Sequence, residues 1–176
     1  GIIGYGNTGS SFAQVLRGLD VRVLAYDKYK TGFGSHFVQE CTLPALIEQA
    51  DVISLHVPLN KETRRLVNTK FIINLKKPIY LLNLSRGKVV STSALVEGLK
   101  AGKIKGAALD VLEYETKSFE DFFEQNLPKE FAFLINSNNI ILSPHIAGWS
   151  KESYFKLSNV LAEKIISWGN SLHLSL

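Results

Sequence analysis

The chain opens Gly1-Ile2-Ile3-Gly4-Tyr5-Gly6-Asn7-Thr8-Gly9 and reaches Asp27, in Ala25-Tyr26-Asp27, eighteen positions later. The glycines at Gly4-x-Gly6-x-x-Gly9 answer three steric demands. Gly4 permits a tight turn out of a strand, Gly6 lets the backbone approach a pyrophosphate, and Gly9 lets the next helix pack closely on a sheet. The phosphates would sit at that helix's N-terminus, where N–H groups point outward. Any glycine-rich turn can imitate such a loop, so its context matters. Here it follows an apolar strand remnant and opens a run with helical spacing (Phe12, Val15, Leu16, Leu19). It also precedes an apolar run, Val21 to Ala25, that ends at an acid. Asp27 predicts NAD rather than NADP, because a carboxylate bonds both ribose hydroxyls and repels a 2′-phosphate. Lys28 and Lys30 lie beside it, so NADP is disfavoured rather than barred.

Outward from this loop, short β-rich runs alternate with helical patterns to the end of the chain, the signature of βαβ units. Strands are expected at Phe37 to Gln39, Val52 to His56, Ile79 to Leu84, Ile104 to Leu109 and Ile140 to Leu142. Helices are expected at Leu43 to Gln49, Lys70 to Leu75 and Ser93 to Ala101, the last closed by Gly102. A final helix should run from Lys151 to Trp168, capped by Ser150, with Tyr154, Leu157, Leu161, Ile165 and Trp168 along one face. The fold class is α/β: a Rossmann-type, doubly wound parallel sheet in three α/β/α layers.

With 176 residues, 45% of them hydrophobic, the chain suits a single dinucleotide-binding domain over 1–176 with a real core. Its net charge of +4 is dispersed, which argues against a nucleic-acid surface. No apolar run approaches the roughly 18 residues of a membrane span. The single cysteine, Cys41, excludes an internal disulfide and fits a reducing, cytoplasmic setting. The chain lacks an initiator Met and opens inside a strand, so an N-terminal part of a longer polypeptide is expected to be absent.

Polar residues recur at the carboxyl ends of the strands: Asp27, His56, Arg86, Asp110 and His145. In an open parallel sheet ligands bind at that edge. Three groups there are candidates for chemistry: Arg86 in Asn83-Leu84-Ser85-Arg86-Gly87, Glu115 in Asp110-Val111-Leu112-Glu113-Tyr114-Glu115, and His145 in Ser143-Pro144-His145. Histidine is the natural proton donor and acceptor near neutral pH, and a nearby carboxylate fixes its tautomer. Arginine presents a planar fork matched to a substrate carboxylate. Together they specify hydride transfer to an α-keto acid, with no metal invoked. Arg86 would hold the carboxylate while His145 protonates the carbonyl oxygen. Singly, each has a plainer reading: a satisfied structural histidine, an arginine capping a helix, glutamates in a solvated loop.

These motifs, with Ala50-Asp51-Val52-Ile53-Ser54-Leu55-His56-Val57-Pro58-Leu59, Gly106 to Val111 and Pro144-His145-Ile146-Ala147-Gly148, resemble the D-isomer-specific 2-hydroxyacid dehydrogenases, nearest their D-3-phosphoglycerate dehydrogenase-like members. The resemblance covers essentially the whole chain. It implies a catalytic set of Arg86, Glu115 and His145, with His145 the acid/base and Glu115 its partner. It also implies a cofactor-binding loop of Gly4, Gly6, Asn7, Thr8 and Gly9 in which Asn7 and Thr8 meet the pyrophosphate, with Asp27 at the adenosine ribose and Asp110 at the nicotinamide side. Val57 and Leu84 would touch the cofactor through their backbones, with Pro58, Ser85 and Gly148 beside them. The implied partners are NAD, a small 2-hydroxy or 2-keto acid of 3-phosphoglycerate-like kind, and a second copy of the chain in a homodimer. The substrate domain, drawn in this family from the two ends of the polypeptide, is expected to be missing here.

Two departures stand out. Thr116 follows Glu115 where the family usually has Pro, which weakens the choice of Glu115 over Glu113. The stretch 117–139 is longer than typical. Its Phe119, Phe122, Phe123, Leu127, Phe131, Phe133 and Leu134, with Ser118 as a cap and Pro128 as a break, predict two short helices packed on this domain rather than a subunit contact. The competing functional readings are a non-catalytic, NAD-responsive interaction protein like the corepressors of this fold, and a related enzyme such as a formate dehydrogenase.

Overall fold

The computed structural model describes residues 1–114 and 128–171 and divides into two compact units, Gly1–Pro144 and His145 onward. In the first unit the apolar runs form strands β1 (Ile2–Ile3), β2 (Val23–Tyr26), β3 (Val38–Glu40), β4 (Val52–Leu55), β5 (Ile79–Asn83), β6 (Ile104–Leu109) and β7 (Ile140–Leu142). They make one parallel sheet in the order β3-β2-β1-β4-β5-β6-β7. The order reverses at β1, so a crevice opens between β1 and β4 at their carboxyl ends.

Between the strands lie α1 (Asn7–Val15), α2 (Leu43–Gln49), α3 (Thr69–Ile73), α4 (Thr92–Lys100) and α5 (Lys129–Ile135). Their boundaries follow from local chemistry. The Thr42, Asn68 and Ser91 side chains accept from the backbone N–H of Ala45, Phe71 and Ala94 and so cap α2, α3 and α4. Gly102, at φ +68, ends α4 in the left-handed conformation expected of it.

The winding shows in how neighbouring residues are buried. On β1 and β2, Ile3 and Leu24 join the larger core cluster, with Leu46, Ile53, Leu55, Leu81 and Leu95, while Ile2, Val23 and Ala25 join a second one with Ala13 and Val38. Alternate strand residues point to opposite faces, so each face has its own core under its own helices. Each fully buried Leu or Ile contributes roughly 1.5–3 kcal/mol of transfer free energy.

Two helical stripes differ from expectation. Val15 and Leu19 are 73% and 64% exposed, and the contact of α1 with the sheet runs through Gly9 and Ala13, with Phe12 and Leu16 half-buried. In the second unit, α6 (Lys151–Ser171) runs one turn longer than expected, and its Tyr154, Leu157, Leu161, Ile165 and Trp168 are all exposed. Of the 117–139 stretch, the second expected helix is α5. Its Phe131 and Leu134 are buried and its Phe133 ring lies 4.9 Å from Lys100 Nζ, so this part packs on the domain. Ser118, Phe119, Phe122, Phe123 and Leu127 lie outside the described residues.

Candidate cofactor and active site

The sheet register assembles the site. Tyr26, Ile3, Leu55, Asn83, Leu109 and Leu142 pair in sequence across β2, β1, β4, β5, β6 and β7. The residues that follow them, Asp27, Gly4, His56, Leu84, Asp110 and Ser143, therefore share one edge.

At the switch point the glycine loop meets its steric expectations in detail. Gly4 has φ +94, and a Cβ there would lie 2.5 Å from the His56 carbonyl oxygen; a Cβ on Gly9 would lie 2.0 Å from the Gly4 carbonyl oxygen. Gly6, in contrast, has nothing within 4 Å of where its Cβ would be. Gly6 is also the N-cap of α1 and provides no side-chain acceptor, so the first N–H groups of this helix, on the exposed Asn7 and Thr8, are uncapped by it. A crowded base beneath an open, uncapped helix end is what a pyrophosphate requires.

Asp27 is already organised. Its Oδ2 accepts from Tyr5 N–H at 2.7 Å, and its Oδ1 accepts from Tyr29 and Lys30 N–H at 2.9 and 3.1 Å. Burial alone pushes its carboxyl upward, but the backbone donors outweigh this and hold it below the usual carboxylate range. The carboxylate stays ionised at neutral pH, with lone pairs to spare for ribose hydroxyls.

Next to the loop lies a cavity of about 450 Å3, lined by Thr8, His56, Val57, Pro58, Leu59, Leu84, Ser85 and Arg86. This is within the roughly 300–1,000 Å3 usual for small-molecule sites. Asn83 shapes its β5 side: its Oδ1 accepts from both Ser85 N–H and Ser85 Oγ, and its Nδ2 donates to the Arg86 carbonyl. Arg86 is exposed, with Nη1 donating to the Ser85 carbonyl at 2.7 Å. From sequence His56 was placed on the ligand-binding edge without a role, and Leu59 was not expected at the site. His56 lies 5.1 Å from the Phe12 ring, its Nε2 is 2.9 Å from Ser54 Oγ, and burial holds its imidazole below the usual histidine range. Its place at the end of β4 was the available signal.

Asp110, at the end of β6, is buried and accepts from Ser143 Oγ at 2.6 Å. Glu113 has a structural environment: Oε1 pairs with Arg65 Nε and Nη2, both at 2.9 Å, and Oε2 accepts from the N–H of Thr92, the first residue of α4. Glu115 lies outside the described residues.

His145 and Gly148 belong to the second unit. His145 is exposed and has φ +55, a left-handed conformation uncommon for a side-chain-bearing residue. The Gly148 carbonyl accepts from Ser153 Oγ, and Ser150 and Ser153 cap α6 reciprocally through their hydroxyls and backbone N–H groups.

Residues 1–147 match the model of the D-isomer specific 2-hydroxyacid dehydrogenase, NAD binding domain. The chain belongs to this family. Two relatives illustrate its range. D-3-phosphoglycerate dehydrogenase 1 of Saccharomyces cerevisiae is 36% identical over 98% of this chain and 38% of its own length. Glyoxylate reductase of Thermofilum pendens is 36% identical over 95% of this chain and 47% of its own. Among solved structures, D-lactate dehydrogenase with NAD+ from Lactobacillus jensenii superposes with a TM-score of 0.82 at 31% identity, over 97% of this chain and 52% of its own. The chain thus spans about half or less of the length of such dehydrogenases. Among the described residues no helix is long and apolar enough to cross a membrane.

Proposed function

We propose that this chain holds the cofactor, and part of the catalytic machinery, of an NAD-dependent oxidoreductase acting between C2 of a D-2-hydroxy acid and the corresponding 2-keto acid. The observation that carries the reading is one shared cavity, in which Thr8 of the glycine loop and Arg86 line the same recess at the switch point of the sheet. Bound NAD would supply the hydride acceptor in oxidation and, reduced, the hydride donor in the reverse direction.

The chain's own residues do the rest. The N-terminal N–H groups of α1, with Asn7 and Thr8, hold the pyrophosphate, and Asp27 accepts from the ribose hydroxyls. Val57, Pro58, Leu84 and Ser85 wall the nicotinamide side and exclude water. Arg86 directs its guanidinium fork at the substrate carboxylate and fixes the C2 oxygen near its acid. His145 transfers the proton at that oxygen, and its left-handed backbone is the kind of outlier that clusters at active sites. Glu115 orients His145; Glu113 is already engaged by Arg65 and the N-terminus of α4. Asp110 and Gly148 border the nicotinamide.

The finer reading adds a 3-phosphoglycerate-like substrate, supported by identity to the Saccharomyces cerevisiae enzyme across 98% of the chain. It also adds a homodimer and a cytoplasmic setting, the latter in keeping with the lone Cys41.

The test is NADH oxidation by the full-length polypeptide with a panel of 2-keto acids. His145→Ala should lower turnover by about 10²–10⁴-fold while NADH still binds. Unchanged turnover would remove His145 from its role. NADH binding by wild type without turnover of any acid would favour the corepressor-like reading.

A further inference from the structure

Asp27 is flanked by two lysines, the groups a ribose 2′-phosphate would meet first. Both are engaged. Lys30 Nζ donates to the Tyr5 carbonyl at 3.4 Å, inside the glycine loop. Lys28 Nζ pairs with Glu62 Oε1 at 2.6 Å, and the Tyr29 hydroxyl donates to Oε2 of the same carboxylate. Glu62 lies 34 residues away in sequence from Lys28, on the loop after β4.

That loop is built to present it. Asn60 Oδ1 accepts from the N–H groups of Glu62 and Thr63, each at 2.9 Å, and Thr63 Oγ1 donates to the carbonyl of Pro58, a residue of the cavity wall. On the other side, Asp27 gathers the backbone of Tyr29 and Lys30. Loops from the ends of β2 and β4, the strands on either side of β1, are thus tied together through one glutamate.

We propose that Glu62 is a specificity-determining residue of the nucleotide site: it withholds the Lys28 ammonium from a 2′-phosphate by holding it, with the Tyr29 hydroxyl, on the segment that directly follows Asp27. This rests on the reading of the glycine loop as a dinucleotide site. Among the four groups Asp27, Lys28, Lys30 and Glu62 the charges cancel, and loss of the Glu62 charge leaves a net +1. The pair remains ionised through neutral pH, since the hydrogen bond from Lys28 holds Glu62 below the usual range and the same bond raises Lys28. Lys28 and Glu62 are each about half exposed, with side chains 54% and 49% accessible, so the effect is modest and salt-sensitive.

The test is a fluorescence titration of the full chain with NADH and with NADPH. Glu62→Gln keeps one acceptor oxygen for Tyr29 and removes the charge together with the oxygen that holds Lys28. It should tighten NADPH about fivefold and change NADH by less than about twofold, the scale of one exposed charge pair in water. The gain should vanish in the double variant Glu62→Gln/Lys28→Met and fade at high salt. Unchanged NADPH affinity in Glu62→Gln, a gain that survives loss of Lys28, or equal weakening of both nucleotides would each overturn the proposal. Wild type that binds neither nucleotide would overturn the dinucleotide reading itself, a result separable from the others.

Discussion

Replacing Glu113 by Ala should destabilise the fold without touching chemistry, and the size of the effect follows from its three partners. The Thr92 N–H is buried at the first position of α4, a helix whose own first turn carries no acid, and it donates to Glu113 Oε2 at 2.7 Å. Losing that acceptor costs about 1–3 kcal/mol. Losing a carboxylate at the positive end of the helix costs about 0.3–1 kcal/mol more. The ion pair adds at most about 1 kcal/mol, because Arg65 is 64% exposed. Glu113→Ala should therefore lose about 3 kcal/mol, or roughly 6–12 °C in Tm for a chain of this size. Glu113→Gln retains the acceptor and should lose about 1 kcal/mol, and Arg65→Ala no more than that. Urea denaturation of the three variants checks the order. A Glu113→Gln loss as large as that of Glu113→Ala would refute the reasoning, by showing that charge rather than the buried acceptor dominates. Loss of turnover in Glu113→Gln with stability intact would instead move Glu113 into the chemistry.

Other outcomes follow from the glycine loop and from His56. Gly6→Ala should leave the thermal midpoint within about 2 °C, since its Cβ meets nothing, yet weaken NADH binding at least about tenfold by filling the space a pyrophosphate approaches; Gly9→Ala, driven into the Gly4 carbonyl, should not fold stably. Burial lowers the His56 pKa, so over the range between its folded and unfolded values the unfolded chain binds more protons. Stability should then fall as pH drops below about 6.5, the unfolded histidine value, and His56→Asn should flatten that slope in pH-dependent urea melts.

The fold was legible because strand residues of a doubly wound sheet are apolar on both faces and end in polar ones. Ile104 to Leu109 and Ile140 to Leu142 could be read to the residue. Where a strand leads into a polar site the boundary blurred: His56 and Leu84 lie just beyond β4 and β5 and line the cavity. Periodicity identified which residues of α1 and α6 share a stripe, but it carries no information on what covers that stripe, so Val15, Leu19 and the α6 residues came out exposed. The Lys28–Glu62 and Arg65–Glu113 pairs were invisible for another reason. Each joins loops 34 and 48 residues apart, and only the closed sheet brings them together.

Gly87 immediately follows Arg86, and a Cβ there would come within 1.8 Å of the Leu112 carbonyl oxygen, on the segment leading into Glu113. Main chain is seated on main chain at this seam, with no side chain between to absorb a change of shape. The two loops are therefore a single structural unit. Transplanting either one from a relative to alter substrate preference carries the other's backbone path with it, so variation in this part of the site has to proceed by coordinated changes in both loops or by side chains that project away from the seam.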